Sequence, residues 1–129
     1  MKVLLTGATG YLGKQLLKHL FYSSKYSVLA LVRDTNALKD FLEKSNLSPK
    51  IIIINLHQTN WKEVVKNYNP EVVLHLASYI TSKDDEIEIN KLINANILFG
   101  CSLLDSLKNT KCKYFINLGT FAEFKDNNE

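Results

Sequence analysis

The sequence predicts an α/β domain, an open and doubly wound parallel sheet of five strands with helices on both faces. Three observations carry this reading. Five short apolar runs are separated by helical patterns along 129 residues, and strands joined through helices close by right-handed crossovers into a parallel sheet. The first run passes directly into Gly7, Gly10 and Gly13 and then into a helix, the strand–turn–helix opening of a phosphate-binding fold. A content of 46% hydrophobic and 22% charged residues is that of an ordinary globule long enough to bury a core.

The elements follow in order. Lys2–Thr6 is a short apolar strand, and Tyr11–Tyr22 carries Leu12, Leu16, Leu17 and Leu20 at helical spacing. Ser27–Val32 is the second strand. Asn36–Ser45 is a polar helix with Leu38, Phe41 and Leu42 on its inner face, and Pro49 ends the connection. Lys50–Leu56 holds four consecutive isoleucines, apolar on both faces as a central parallel strand should be. Trp61–Tyr68 is a short helix closed by Asn69-Pro70, with Trp61 as a packing anchor, and Val72–Ala77 is the fourth strand. After a polar loop through Asp84-Asp85, Glu86–Leu107 is the longest helix and Lys113–Leu118 the fifth strand. The expected order is 3-2-1-4-5, a Rossmann-like sheet with a ligand crevice at the carboxyl ends of strands 1 and 4. The last nine residues turn polar and read as a frayed tail.

The glycine turn states its own chemistry. The first turn of a helix has N–H groups without carbonyl partners and the positive end of the macrodipole. A pyrophosphate satisfies both wherever no Cβ blocks its approach. Gly13 lets the helix lie close on the sheet. In the long helix Ile89, Ile93, Asn96, Gly100, Leu103 and Leu107 recur at steps of four and three. That spacing sets Asn96 within a buried stripe, where its amide needs partners. Gly100, at a cost of about 1 kcal/mol in helix propensity, implies close packing on the sheet.

Other function classes recede. A net charge of +3 with lysines interspersed among acids argues against nucleic acid. No apolar run approaches the roughly 20 residues of a membrane span. The chain enters a strand without a signal-peptide pattern, so the expected location is cytoplasmic. Cys101 and Cys112 lack metal-ligand or redox spacing and read as reduced thiols. His19, His57 and His75 form no metal constellation, and His75 inside an apolar strand reads as a hydrogen-bonded core residue.

Together, Thr6-Gly7-Ala8-Thr9-Gly10-Tyr11-Leu12-Gly13, Asn55-Leu56, His75-Leu76-Ala77-Ser78, Asn96 and Asn117-Leu118-Gly119-Thr120 resemble the extended short-chain dehydrogenase/reductase family, the NAD-dependent epimerase/dehydratases of nucleotide sugars. The run Gly119–Phe124 is most similar to its reductases of CDP-linked deoxysugars, such as the abequose and paratose synthases. The resemblance covers essentially the whole chain. It implies a dinucleotide cofactor held by Gly7, Thr9, Gly10, Tyr11, Leu12 and Gly13, with Asn55 and Leu56 against adenine. Leu76, Ala77, Ser78 and Asn96 would lie beside the cofactor. Asn55 replaces the family's acid by its amide, which weakens adenine hydrogen bonding.

NAD-preferring members end the second strand with an acid. Val32 stands there, followed by Arg33, the single arginine, placed to fork a 2′-phosphate. Asp34 lies near the spacing of a ribose-binding acid and would have to point away from such a phosphate. NADP is the preferred cofactor and NAD the second choice.

In the family a tyrosine moves the proton at the sugar hydroxyl or carbonyl, a lysine four residues on lowers its pKa, and a Ser or Thr hydroxyl bonds the reacting oxygen. Thr120 falls on that hydroxyl. The Tyr-x-x-x-Lys belongs to the helix after the fifth strand, and the chain ends before it; Tyr11 and Tyr22 stand only three residues from a lysine. Residues 1–129 are therefore expected to be the cofactor-binding portion of an enzyme on a nucleotide sugar, without turnover alone. The alternative is a non-catalytic NAD(P)H-responsive or interaction domain of the same superfamily. Without further strands the fifth strand is an open edge, and self-association, as a homodimer, is expected.

Overall fold

The computed structural model describes residues 1–47, 51–58 and 60–119. Five parallel strands, β1 (Lys2–Thr6), β2 (Ser27–Val32), β3 (Ile51–Asn55), β4 (Val72–His75) and β5 (Tyr114–Asn117), stand in the order β3-β2-β1-β4-β5. Between them lie α1 (Tyr11–Tyr22), α2 (Thr35–Lys44), α3 (Trp61–Tyr68), α4 (Glu86–Ile93) and α5 (Phe99–Ser106).

Alternation along β1 and β2 divides the interior in two. Val3, Leu5, Val28, Ala30 and Val32 face α1 and α2, where they meet Leu17, Leu20, Leu38 and Leu42. Leu4, Leu29, Leu31 and Val73 face the other way, onto Val65 of α3 and Leu103 of α5. Each leucine so buried contributes about 1.5–3 kcal/mol. The inner face of the second helix is as the leucine spacing predicts, and Trp61 packs edge-on to Phe99, ring centroids 5.9 Å apart. Phe41 also carries the ammonium groups of Lys14 and Lys18 over its ring, 5.4 and 5.7 Å from the centroid.

Three expectations need correction. The isoleucine run is an edge strand rather than a central one. Among the described residues β3 pairs with β2 alone, at the edge that the expected order 3-2-1-4-5 also gives it, and Ile52 is 47% exposed. The long helix is not continuous: between α4 and α5 the chain widens into a π-helical stretch at Asn94–Leu98. Such an insertion shifts the phase of all that follows, so one stripe cannot run the whole length. Leu103 is fully buried while Ile89 and Ile93 are 44% and 41% exposed, and Glu88 takes an interior position in α4. Gly100 faces the His75 ring with room to spare. A methyl group there would lie 3.8 Å from Nε2, an ordinary contact, so close packing does not demand glycine.

Candidate functional site

The sheet's carboxyl ends converge on a cavity of about 540 Å³. One wall is the glycine turn, with Gly7, Thr9 and Gly10. A second is the end of β2 with Leu31, Val32 and Arg33, next to Leu56 and His57 after β3. Leu76, Ala77, Ser78 and Tyr79 after β4 form the third, and Lys91, Asn94, Ala95 and Phe99 of the long helix close the fourth.

Backbone approach dictates the turn. Gly7 has φ +69°, and a Cβ on it would stand 2.6 Å from the Leu76 carbonyl carbon and 2.7 Å from the Ala77 nitrogen. A Cβ on Gly13 would run into the Gly7 carbonyl oxygen and come within 2.7 Å of Ala8 Cα. Gly13 therefore brings α1 onto the turn itself rather than onto the sheet. The Gly7 carbonyl also accepts the Gly10 N–H at 3.0 Å, which sets the direction in which α1 leaves.

The start of α1 is chemically open. No side chain caps it and no acid occupies its first turn. By contrast Asp34 caps α2, Asp85 caps α4, and α3 carries Glu63 in its first turn. Helix-start N–H groups left in this way, with the dipole behind them, form an anion site.

Beneath the cavity, Thr6 joins β1 to β4. Its Oγ1 accepts the Ala77 N–H at 3.2 Å and meets His75 Nδ1 at 2.7 Å. The hydroxyl has a second lone pair and a proton beside the lone pair given to Ala77, so it can serve either tautomer of the His75 ring. Burial pushes the His75 pKa below 6.5, and the rings of Phe99 and Phe115 flank it. The sequence places Thr6 at the head of the glycine motif but assigns it no role, since a threonine ending an apolar strand does not say which partners its hydroxyl takes. A base with a lowered folded pKa contributes stability that is fully present above its unfolded value and declines as pH falls below about 6.5 toward the folded value. The thermal midpoint should accordingly drop between pH 7 and pH 5, with a smaller drop in His75→Gln. Equal slopes for the two chains would remove His75 from the account.

The expected site residues divide into two groups. Gly7, Thr9, Gly10, Arg33, Leu56, Leu76, Ala77 and Ser78 share the cavity wall. Tyr11, Leu12, Gly13, Asn55 and Asn96 do not. Tyr11 and Leu12 are 84% and 42% exposed, so only their backbone faces the helix start. Asn55 Oδ1 accepts the His57 N–H at 2.8 Å, closing the turn after β3 instead of presenting itself to a ligand. Asn96 is exposed rather than buried. Its Oδ1 accepts the Tyr79 N–H at 2.8 Å and its Nδ2 donates to the Tyr79 carbonyl at 2.9 Å, so it braces the third wall. Asp34 Oδ1 accepts the Ala37 N–H at 2.9 Å, which commits that acid to α2. Thr120 lies outside the described residues.

Tyr79, Lys91, Asn94, Ala95 and Phe99 also line the cavity and were not legible as site residues: Tyr79 stands in the loop after β4, Lys91 belongs to no motif, and Asn94, Ala95 and Phe99 lie in or after the widened turn, where the counted stripe loses its phase. Tyr79-Ile80-Thr81-Ser82-Lys83 does have Tyr-x-x-x-Lys spacing, which corrects the expectation that the chain holds no such pair. It lies in a loop. The Tyr79 hydroxyl donates to Glu88 Oε2 at 2.5 Å, and that bond holds the phenol pKa above 10, opposite to what a general base requires.

Among the described residues, no group of three or more His, Cys, Asp or Glu could hold a metal ion, and no helix is long and apolar enough to cross a membrane. The profile of the NAD dependent epimerase/dehydratase family matches residues 3–129. A dTDP-4-dehydrorhamnose reductase from Aggregatibacter actinomycetemcomitans is 26% identical over 96 residues, 74% of this chain and 27% of that protein. The UDP-glucuronic acid 4-epimerase of Bacillus cereus, solved with UDP-glucuronic acid and NAD, superposes with a TM-score of 0.80 at 22% identity, covering 100% of this chain and 43% of that one. Yeast methylglyoxal/isovaleraldehyde reductase, solved with NADPH, gives 0.77 at 19% identity, covering 98% and 39%. At such identities the likeness to the solved structures is one of fold. The chain spans less than half the length of each of these relatives.

Proposed function

The chain belongs to the NAD dependent epimerase/dehydratase family, and from that premise we propose that residues 1–129 are the dinucleotide-binding portion of an oxidoreductase or epimerase acting on a nucleotide-activated sugar. The observation that carries this reading is the uncapped start of α1, opening onto a cavity whose nearest wall is glycine. The fit is steric as well as electrostatic: side chains at Gly7 and Gly13 would fill the backbone cradle. A nicotinamide dinucleotide would supply the hydride acceptor or donor. This chain's own residues bind and orient it, the α1 amides at the diphosphate and Leu56, Leu76 and Ala77 at its apolar faces. Thr120 is proposed as the hydroxyl that bonds the reacting oxygen, and the cytoplasm as the location.

NADP is the proposed preference. Arg33 reaches the cavity at the end of β2 where an acid would select NAD, while Asp34 is committed to capping α2. Fluorescence titration tests both levels. Dissociation constants for NADPH and NADH in the micromolar range would support the reading, and saturation with neither would remove it. Arg33→Ala should weaken NADPH at least about tenfold, the worth of a charge-assisted fork, with NADH little changed; equal losses would reject the NADP assignment. No Tyr-x-x-x-Lys stands on a helix among the described residues, since Tyr11 and Lys14 of α1 are only three apart, so no turnover of a 4-keto sugar nucleotide is expected from this chain. Detectable turnover would refute that.

Self-association belongs to the same proposal. Among the described residues β5 is an edge strand; its Tyr114 and Ile116 are 63% and 52% exposed and Leu118 just after it 54%, and exposed apolar edges pair. Light scattering at high micromolar concentration should give a mass above 14.7 kDa; a monomer there would contradict it.

A further inference from the structure

Two permanently charged side chains line the cavity, Arg33 from the end of β2 and Lys91 from α4. They differ in what holds them. Arg33 makes no ion pair among the described residues. Lys91 Nζ bonds Glu88 Oε1 at 2.7 Å, and the second oxygen of that carboxylate, nearly buried, takes the Tyr79 hydroxyl. Glu88 thereby joins Lys91 to Tyr79, and Arg33, Tyr79 and Lys91 all line this one cavity. Asn96 fixes the Tyr79 backbone there from both sides.

We propose that Lys91 is a second specificity-determining contact for a phosphate monoester seated against Arg33, and that Glu88 is the carboxylate with which that anion competes for Lys91. The inference rests on the reading of Arg33 given above. A monoester carries about −1.5 to −2 charges near neutral pH, more than one guanidinium neutralises. Arg33 can fork two of its oxygens and leaves the third. Lys91 has a flexible four-carbon stem and three donors, so it can turn toward the third oxygen without breaking entirely from Glu88. A ribose hydroxyl offers no charge to draw it, and Lys91 then remains on Glu88. The pair thereby separates phosphorylated from unphosphorylated adenosine ribose.

The test titrates the full chain and its variants with NADPH and with NADH. Lys91→Gln should weaken NADPH about fivefold, the worth of a charged contact discounted for a half-exposed lysine, with NADH unchanged. Lys91→Arg, which keeps the charge, should restore most of the preference. Glu88→Gln should move the other way and tighten NADPH about twofold to threefold, because the competing charge is gone. A purely structural brace could not give opposite signs. Equal losses of both nucleotides in Lys91→Gln, no loss, or weaker NADPH in Glu88→Gln with unchanged circular dichroism would each overturn the proposal. Arg33→Ala separates the layers: if it shifts the NADPH to NADH ratio and Lys91→Gln does not, only the Lys91 assignment falls. If neither nucleotide binds the unmodified chain, both readings fall.

Discussion

Alanine at Gly7 should destabilise the domain by about 2–5 kcal/mol and abolish dinucleotide binding with it. Two costs add. A left-handed backbone at a residue bearing Cβ costs about 1–2 kcal/mol, and φ here is +69°. The new methyl would also press into the backbone where β4 ends, 2.6 Å from the Leu76 carbonyl carbon, and overpacking of this kind costs about 1–3 kcal/mol. Backbone cannot swing aside as a flexible side chain would, because Leu76 and Ala77 are fixed by the Thr6 bond beneath them. A domain whose total stability is about 5–15 kcal/mol would lose much of its margin. Urea denaturation followed by circular dichroism reads the stability, and NADPH fluorescence reads the site. A midpoint within about 1 kcal/mol of the parent would show that the turn relaxes, contrary to the packing described.

Aspartate at Gly10 should do the reverse to the fold and the same to the site. Gly10 has φ −74° and ψ 169°, open to any residue, and a Cβ there would meet only the Gly7 carbonyl oxygen at 3.3 Å. The new carboxylate would occupy the capping position that α1 now lacks. That adds a few tenths of a kcal/mol over glycine from the cap and about 0.3–1 kcal/mol from the helix dipole. The same carboxylate stands where a diphosphate would sit, and like charges brought together cost several kcal/mol. Affinity should fall about a hundredfold or more while the thermal midpoint holds or rises. Retained affinity would place the diphosphate elsewhere. A stability measurement alone could not separate the two glycines' roles; this pair of substitutions does.

The sequence made the sheet order, the element sequence and the crevice at the ends of strands 1 and 4 legible, because each rests on periodicity or on the glycine turn. Helix ends α1 and α3 and strand β2 fall where the apolar spacing places them. What escaped was whatever depends on a change of period. A stripe counted at 3.6 residues from Ile89 runs through Asn96 to Leu107, yet the widened turn at Asn94–Leu98 breaks its phase: Asn94, Ala95 and Phe99 line the cavity together with Lys91 of α4, and Ile89 and Ile93 are exposed. Four isoleucines in a row describe a strand covered on both faces, whereas the order 3-2-1-4-5 already sets β3 at the edge of the sheet, where Ile52 is 47% exposed. Asn55 and Asn96 belong to motif positions, but their amides are spent on backbone nearby. A short polar side chain reports that hydrogen bonds are needed and not which partner receives them.

Asn96 presents to Tyr79 what a peptide group on an adjacent strand would present, one donor and one acceptor side by side. The segment beyond β4 is thus paired as though the sheet continued for a single residue, although no strand is there. An amide borrowed from a helix substitutes for a strand, and the backbone of Tyr79 in the cavity wall is fixed by it. Entry then requires no prior ordering of that wall, so uptake should proceed at a rate set by diffusion and orientation rather than by loop rearrangement.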